Sequence, residues 1–206
     1  TTTDELIPSG ETSSFRSNPL GLAEFTLSRK DPAYVGLAKE IHKAQEALMD
    51  GKDPVTVKPE LAEIMDEIHV QFPQAANDNL GFGSTIFAVK PGDGSAREQA
   101  ASCQKVLGGF GNICYEYATK RYRSNCINWG MTPFLVENPE VFELGDYIFV
   151  PSIREAVLEN KASFSAYAVK PDGTVTEFPV STGALTEDER QIIADGCLIN
   201  YYRNNQ

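Results

Sequence analysis

Ser95 and Arg97 are the residues whose types and spacing bear most directly on chemistry. They stand in the stretch Gly92-Asp93-Gly94-Ser95-Ala96-Arg97-Glu98-Gln99-Ala100-Ala101. A short apolar run, residues 85–89, leads into it, and a helix-like run, residues 98–107, leads out. A glycine-rich turn between a strand and a helix gathers backbone N–H groups, a hydroxyl and a guanidinium around one small space. The start of a helix carries partial positive charge and unpaired N–H donors, so the space suits an anion. The planar fork of an arginine matches a carboxylate. The turn is not a Walker loop, because no Gly-Lys-Ser/Thr follows. Its glycine spacing is not that of the dinucleotide fingerprint, and it is not a Gly-x-Ser-x-Gly elbow. The same spacing also fits a plain tight turn that happens to carry Ser and Arg, since short glycine motifs recur by chance.

The stretch resembles the active-site turn of the aconitase superfamily, Gly-x-x/Gly-Ser-Ser-Arg-Glu-x-Ala. Leu107-Gly108-Gly109 and Gly130-Met131-Thr132-Pro133-Phe134 also look like that family. A second match lies at the N-terminus. Thr3-Asp4-Glu5-Leu6-Ile7, then Gly10, then Phe15-Arg16 resembles the opening of the mobile C-terminal swivel domain of aconitases. The resemblance implies an α/β fold, the swivelling β/β/α domain of the aconitase C-terminal or isopropylmalate isomerase small-subunit type. It implies a single domain over residues 1–206. It also implies roles, position by position. Ser95 matches the catalytic base that removes a substrate proton. Asp4 matches the aspartate that pairs with a histidine of another domain. Arg16 and Arg97 match the carboxylate anchors, and Gly94 and Ala96 fall at substrate-contacting positions of the turn. Ala96 stands where the family has a second serine, so one hydrogen-bond donor is gone.

The implied reaction is chemically coherent. Hydration and dehydration of a hydroxy polycarboxylate need cations for the carboxylates, a base for an unactivated C–H and a Lewis acid for the hydroxyl. A serine hydroxyl is a poor base unless positive surroundings stabilise its alkoxide. In the family the Lewis acid is a 4Fe-4S cluster held by cysteine thiolates. Cys103, Cys114, Cys126 and Cys197 include no Cys-x-x-Cys pair. His42 and His69 fall in helix-like runs and read as ordinary helix residues. No metal ligand is therefore expected in this chain. The cluster is expected in N-terminal domains or in a large subunit that partners it, and the chain alone is expected to be inactive. Two alternatives stay open. One is the small subunit of an isopropylmalate isomerase-type dehydratase. The other is a non-catalytic binding domain that keeps the fold.

Composition narrows the partners. The chain has 206 residues, 41% hydrophobic and 23% charged, as in a globular protein. A net charge of −11 argues against nucleic acid, whose binding rests on Lys and Arg neutralising phosphates. The basic run Lys120-Arg121-Tyr122-Arg123 reads as a solvated face or a surface toward missing domains. A small anionic polycarboxylate must then be drawn by local arginines. No apolar run approaches the ~18 residues of a membrane helix. Reduced-looking cysteines favour the cytoplasm.

The elements that must position the turn are read from patterning. Residues 3–7 read as a short strand, followed by a polar loop over 8–19. Asp31-Pro32 opens a helix that ends at Gly51. A second helix spans 59–72, with Leu61, Ile64, Met65 and Ile68 facing inward. Strands are expected at 85–89, 112–117, 132–136 and 146–150, and helices at 98–107 and 122–129. Residues 162–169 and 175–180 form a hairpin around Pro171-Asp172-Gly173-Thr174. Thr186-Glu187-Asp188-Glu189 is a capping box opening a helix that runs through Cys197 and Leu198.

Overall fold

The computed structural model describes residues 1–206, the side chain of Pro139 excepted. Four helices lead the chain: α1 (Thr3–Leu6), α2 (Pro19–Ala23), α3 (Tyr34–Met49) and α4 (Leu61–Gln71). A βαβαβ unit comes next, with β1 (Ser84–Ala88), α5 (Arg97–Val106), β2 (Gly109–Cys114), α6 (Lys120–Asn128) and β3 (Thr132–Leu135). Then come β4 (Tyr147–Phe149), α7 (Ile153–Leu158), β5 (Phe164–Val169), β6 (Val175–Val180), α8 (Glu187–Asp195) and α9 (Leu198–Asn204).

Strands β1, β2 and β3 form a parallel sheet in that order. Strands β4, β5 and β6 form an antiparallel one. An antiparallel bridge between Leu135 and Ser181 joins the two, through hydrogen bonds of 2.7 and 3.1 Å. The strand pleat sorts side chains to opposite faces. Ile86 faces the helices and packs in one cluster with Leu6, Ile7, Ala100, Ala101, Tyr122 and Cys126. Ile113, opposite Phe87 in the register, faces the second sheet and packs with Ala166, Ala168 and Phe178. The result is the β/β/α layering of the swivel fold.

Helices α3 and α4 are amphipathic; α4 lies against the second sheet, and α3 runs from the helix-side core, where Tyr34 and Ala38 are buried, to α4, which Ala44 meets. Leu61, Ile64, Met65 and Ile68 are buried at the expected helical spacing. Ala44, Leu61 and Met65 pack with Tyr147, and Ile64 and Ile68 pack with Val169. Gly51, at φ +71, lies just past the end of α3.

The structure corrects several expectations from the sequence. Residues 3–7 are not a strand. Thr2 caps α1, its hydroxyl accepting from the Glu5 amide at 3.1 Å while Glu5 accepts from the Thr2 amide at 2.8 Å. That capping box offsets the strand-like look of Leu6-Ile7. Strand β2 begins at Gly109 and ends at Cys114, three residues before Tyr117. A Cβ at Gly111 would lie 2.9 Å from the Thr132 carbonyl and 3.0 Å from the Phe134 ring, so close strand approach selects glycine there. Helix α7 is too short to carry a periodic signature. The last helix breaks at Gly196, φ +91, into α8 and α9.

A polar network is sealed between α5, α6 and β2. Gln104 donates to Asn112 at 2.6 Å, and Asn112 donates to the Tyr122 hydroxyl at 3.1 Å. All three residues are buried. Replacing Asn112 leaves both neighbours short of a partner, and each such loss costs about 1–3 kcal/mol. Asn112→Ala is expected to lower the stability from urea melts by roughly 2–4 kcal/mol. Ser124→Ala, at an exposed position of α6, is expected to change it by less than about 0.5 kcal/mol.

Candidate functional site

The turn at residues 90–96 is built against the N-terminus of the chain, 89 positions away. The Thr1 amino group donates to the Lys90 carbonyl at 3.1 Å, and the Gly92 amide donates to the Thr1 carbonyl at 2.9 Å. The Thr3 amide donates to the Asp93 carbonyl at 2.7 Å, and Thr2 and Asp93 form a parallel bridge. Two glycines permit this. Gly92 has φ +99 and lies so close to Tyr122 that a Cβ would sit 2.2 Å from its ring. Gly94 has φ +126, and a Cβ there would meet the Thr3 hydroxyl at 2.2 Å. Both positions need left-handed backbone and empty space at once.

Beyond Gly94 the chain presents Ser95, exposed, and then the cap residue of α5, Ala96. Ala96 has no side-chain oxygen, so α5 begins without a side-chain cap. Its methyl packs partly buried on the helix-side core. A serine there would have a hydroxyl in position to accept from the first turn. The alanine removes that acceptor and leaves first-turn N–H groups available to an external anion. Arg97 is the first residue of α5, and its Nε is buried without a hydrogen-bond partner. An unpaired buried donor on a cation is costly, and a bound carboxylate is its natural complement.

Glu98 and Arg29, which the sequence pattern leaves without a role, hold this geometry. Glu98 accepts from Asn125 Nδ2 and Trp129 Nε1, both at 2.6 Å, and so fixes the first turn of α5 against α6. Arg29 pairs with Asp4 at 2.6 Å and with Glu11 at 2.6 Å. The Glu98 role could be suspected only from its place in the motif, and nothing in the sequence marks Arg29.

The structure brings Asp4, Gly94, Ser95, Ala96 and Arg97 into one neighbourhood, through the docking of Thr1–Thr3 beside the turn. Asp4 is exposed on α1 with Arg29 as its partner. Arg16 comes after a 3-10 turn at Ser13–Phe15 and is exposed, with no hydrogen bond or ion pair to the residues of that group among those described. Phe15 stacks at 5.1 Å from Phe25 and packs on the same core cluster as Ala96 and Ala100. This anchors the Arg16 loop on the flank of α2 and α5.

The cysteines do not fit a cluster. Among the described residues no group of three His, Cys, Asp or Glu is arranged to hold a metal. Burial pushes the thiols of Cys103 to about 11 and of Cys114 and Cys126 to about 12, which disfavours the thiolate that ligation needs. The basic run also has a structural use. Tyr122 is fully buried, and Arg123 donates to the carbonyls of Thr182 and Ala184 at 3.1 and 2.9 Å. Among the described residues no helix is long and apolar enough to cross a membrane.

No protein-family model and no curated protein sequence matches the chain. In fold it is similar to the crystal structure of 3-isopropylmalate dehydratase (leuD) from Methanocaldococcus jannaschii. The TM-score is 0.56 at 19% identity, over 99% of this chain and 87% of that one. The likeness establishes the swivel-type fold from end to end of the chain.

Two outcomes test this geometry. Gly94→Ala forces both a strained φ and a clash with Thr3, and should cost roughly 2–3 kcal/mol. Hydrogen exchange should then show the Thr3 amide losing protection before the core strands do. Separately, a thiol reagent at pH 8 should label Cys197 quickly. Cys103, Cys114 and Cys126 should react only after denaturation, because the folded protein keeps them buried and protonated.

Proposed function

We propose that this chain is the swivel-type component of a hydro-lyase, completed by a separate cluster-bearing domain or large subunit. Its substrate is a hydroxy acid with at least two carboxylates. The observation that carries this reading is the buried, unpartnered Nε of Arg97 beside exposed Ser95 at an uncapped helix start. The residues divide the work. Arg97 and the first-turn amides of α5 hold one substrate carboxylate, and Arg16 approaches a second from its loop. Ser95 Oγ, held as an alkoxide by the same donors once its own proton has passed to solvent, takes the proton from the carbon next to that carboxylate and returns to the hydroxyl. Asp4 orients a group of the partner at the domain boundary. The departing hydroxyl is left to the partner, where a 4Fe-4S cluster would supply Lewis acidity.

Two observations favour an isopropylmalate dehydratase-type substrate over a citrate-type one. The similar solved structure carries that activity in its name. Ala96 also lacks the hydroxyl that the family's second serine offers to a further carboxylate, its methyl packing on the core instead.

The test is steady-state kinetics on the chain reconstituted with its cluster-bearing partner. Ser95→Ala is expected to lower kcat by about 100-fold or more with little change in KM. Arg97→Lys, losing a bidentate charge-assisted contact worth roughly 1.5–3 kcal/mol, is expected to lower kcat/KM about 10- to 100-fold. The chain alone should turn over nothing. Near-normal turnover by both variants, with alkylmalates and with citrate, overturns the assignment.

A further inference from the structure

Glu98 is the acid in the first turn of α5, the residue after Arg97. A carboxylate at a helix start is drawn to the positive end of its own helix and to the first-turn N–H groups. Glu98 is therefore a built-in competitor for the donors that an external carboxylate would use. It competes for the Arg97 guanidinium too, once that side chain turns outward. Of the other acids nearby, Asp4 is taken by Arg29 at 2.6 Å and Asp93 is exposed on the turn.

In the structure Glu98 is turned the other way. Its Oε2 accepts from Asn125 Nδ2 and its Oε1 from Trp129 Nε1, each at 2.6 Å. Asn125 lies in the last turn of α6, and Trp129 is its C-cap. The carboxylate thus sits against the C-terminal end of α6, where unpaired carbonyls carry partial negative charge. No basic residue stands in that last turn to attract it. Two neutral donors hold it there, one on each oxygen. Hydrogen bonds to an ionised carboxylate are the strong ones, so the pair can outweigh the pull of the two helix ends. The Trp129 ring packs partly buried on the helix-side core, which fixes the aim of its N–H.

We propose that Asn125 and Trp129 are positioning residues for anion binding, a role that rests on Arg97 being a carboxylate donor. They draw the Glu98 charge away from the start of α5 and so keep Arg97 and the first-turn amides open to a substrate carboxylate. A plain brace between α5 and α6 would serve as well with a neutral acceptor at residue 98, and that difference separates the two roles.

The test follows the full chain by amide, indole and guanidinium NMR, with 3-isopropylmalate as the probe. Trp129 is the only tryptophan, so its indole N–H gives a single resonance that reports the tether. Asn125→Leu with Trp129→Phe frees Glu98. In that double variant, without ligand, the Arg97 Nε–H and the first-turn amides of α5 are expected to shift downfield, and added Glu98→Gln should reverse both shifts. Affinity for the probe should fall about 5- to 10-fold in the double variant and return to within about twofold once Glu98→Gln is added. Glu98→Asp keeps the charge but lacks the reach. In an otherwise unaltered chain it should cause the same loss, with the indole resonance moving upfield. It leaves α6 untouched, so it decides the matter if the double variant does not fold. Arg97 and α5 resonances that stay put in both variants overturn the proposal, as does a loss that Glu98→Gln fails to restore. If these ligand-free shifts appear while the unaltered chain binds no 3-isopropylmalate, the tether stands and the substrate reading of Arg97 falls.

Discussion

The candidate site depends on one contact, the three-residue docking of the N-terminus beside the glycine turn. Without the hydrogen bonds linking Thr1 and Thr3 to Lys90, Gly92 and Asp93, Asp4 and Ser95 would belong to segments with no reason to meet. The contact is short and polar, and its permanence comes from the neighbouring apolar residues of the chain. Leu6 and Ile7 are fully buried in the helix-side core with Ala100 and Ala101 of α5. Burial of these side chains supplies the free energy, and the ladder sets the register. Gly94 leaves room for the Thr3 side chain and Gly92 for the Tyr122 ring beneath the turn, where a Cβ would clash.

Around that contact the molecule treats its polar groups in two ways. Beneath the site most are paired: Gln104, Asn112 and Tyr122 form a chain of buried hydrogen bonds that leaves only Gln104 Oε1 without a partner, and Glu98 holds two donors of α6 and its C-terminal end. At the site they are left wanting. The start of α5 lacks a capping side chain, and Arg97 Nε lacks an acceptor. Unsatisfied donors at a helix start favour an anion, and the Arg97 side chain must turn out of its buried position to present Nε to one. Such local donors would act at contact distance, where a net charge of −11 matters little.

How much the sequence discloses depends on how local the cause is. Helices α3 and α4 are legible because their apolar stripes are intrinsic to the segment. The turn at Pro171–Thr174 and the capping box at Thr186 are legible for the same reason. The equivalent box at Thr2 and Glu5 reads as a strand, since a four-residue helix has no periodicity to set against Leu6-Ile7. The start of β2 is hidden because Gly109 and Gly111 carry no strand preference, and only their neighbours in space require them. The Ser95–Arg97 turn is readable from spacing, and its meeting with Asp4 from the resemblance to the aconitase superfamily. The parts played by Arg29 and Glu98 come from partners 18 to 31 positions away, and no local pattern encodes them.

The central claim is that Arg97 Nε is a carboxylate donor waiting for its ligand. The most direct measurement is the NMR resonance of the Arg97 Nε–H during titration with an alkylmalate. The account predicts a downfield shift that saturates with ligand and accompanies shifts in the Ser95 and Glu98 amides. An Arg97 resonance that stays put while the acid binds elsewhere, or no binding once the cluster-bearing partner is present, would contradict it.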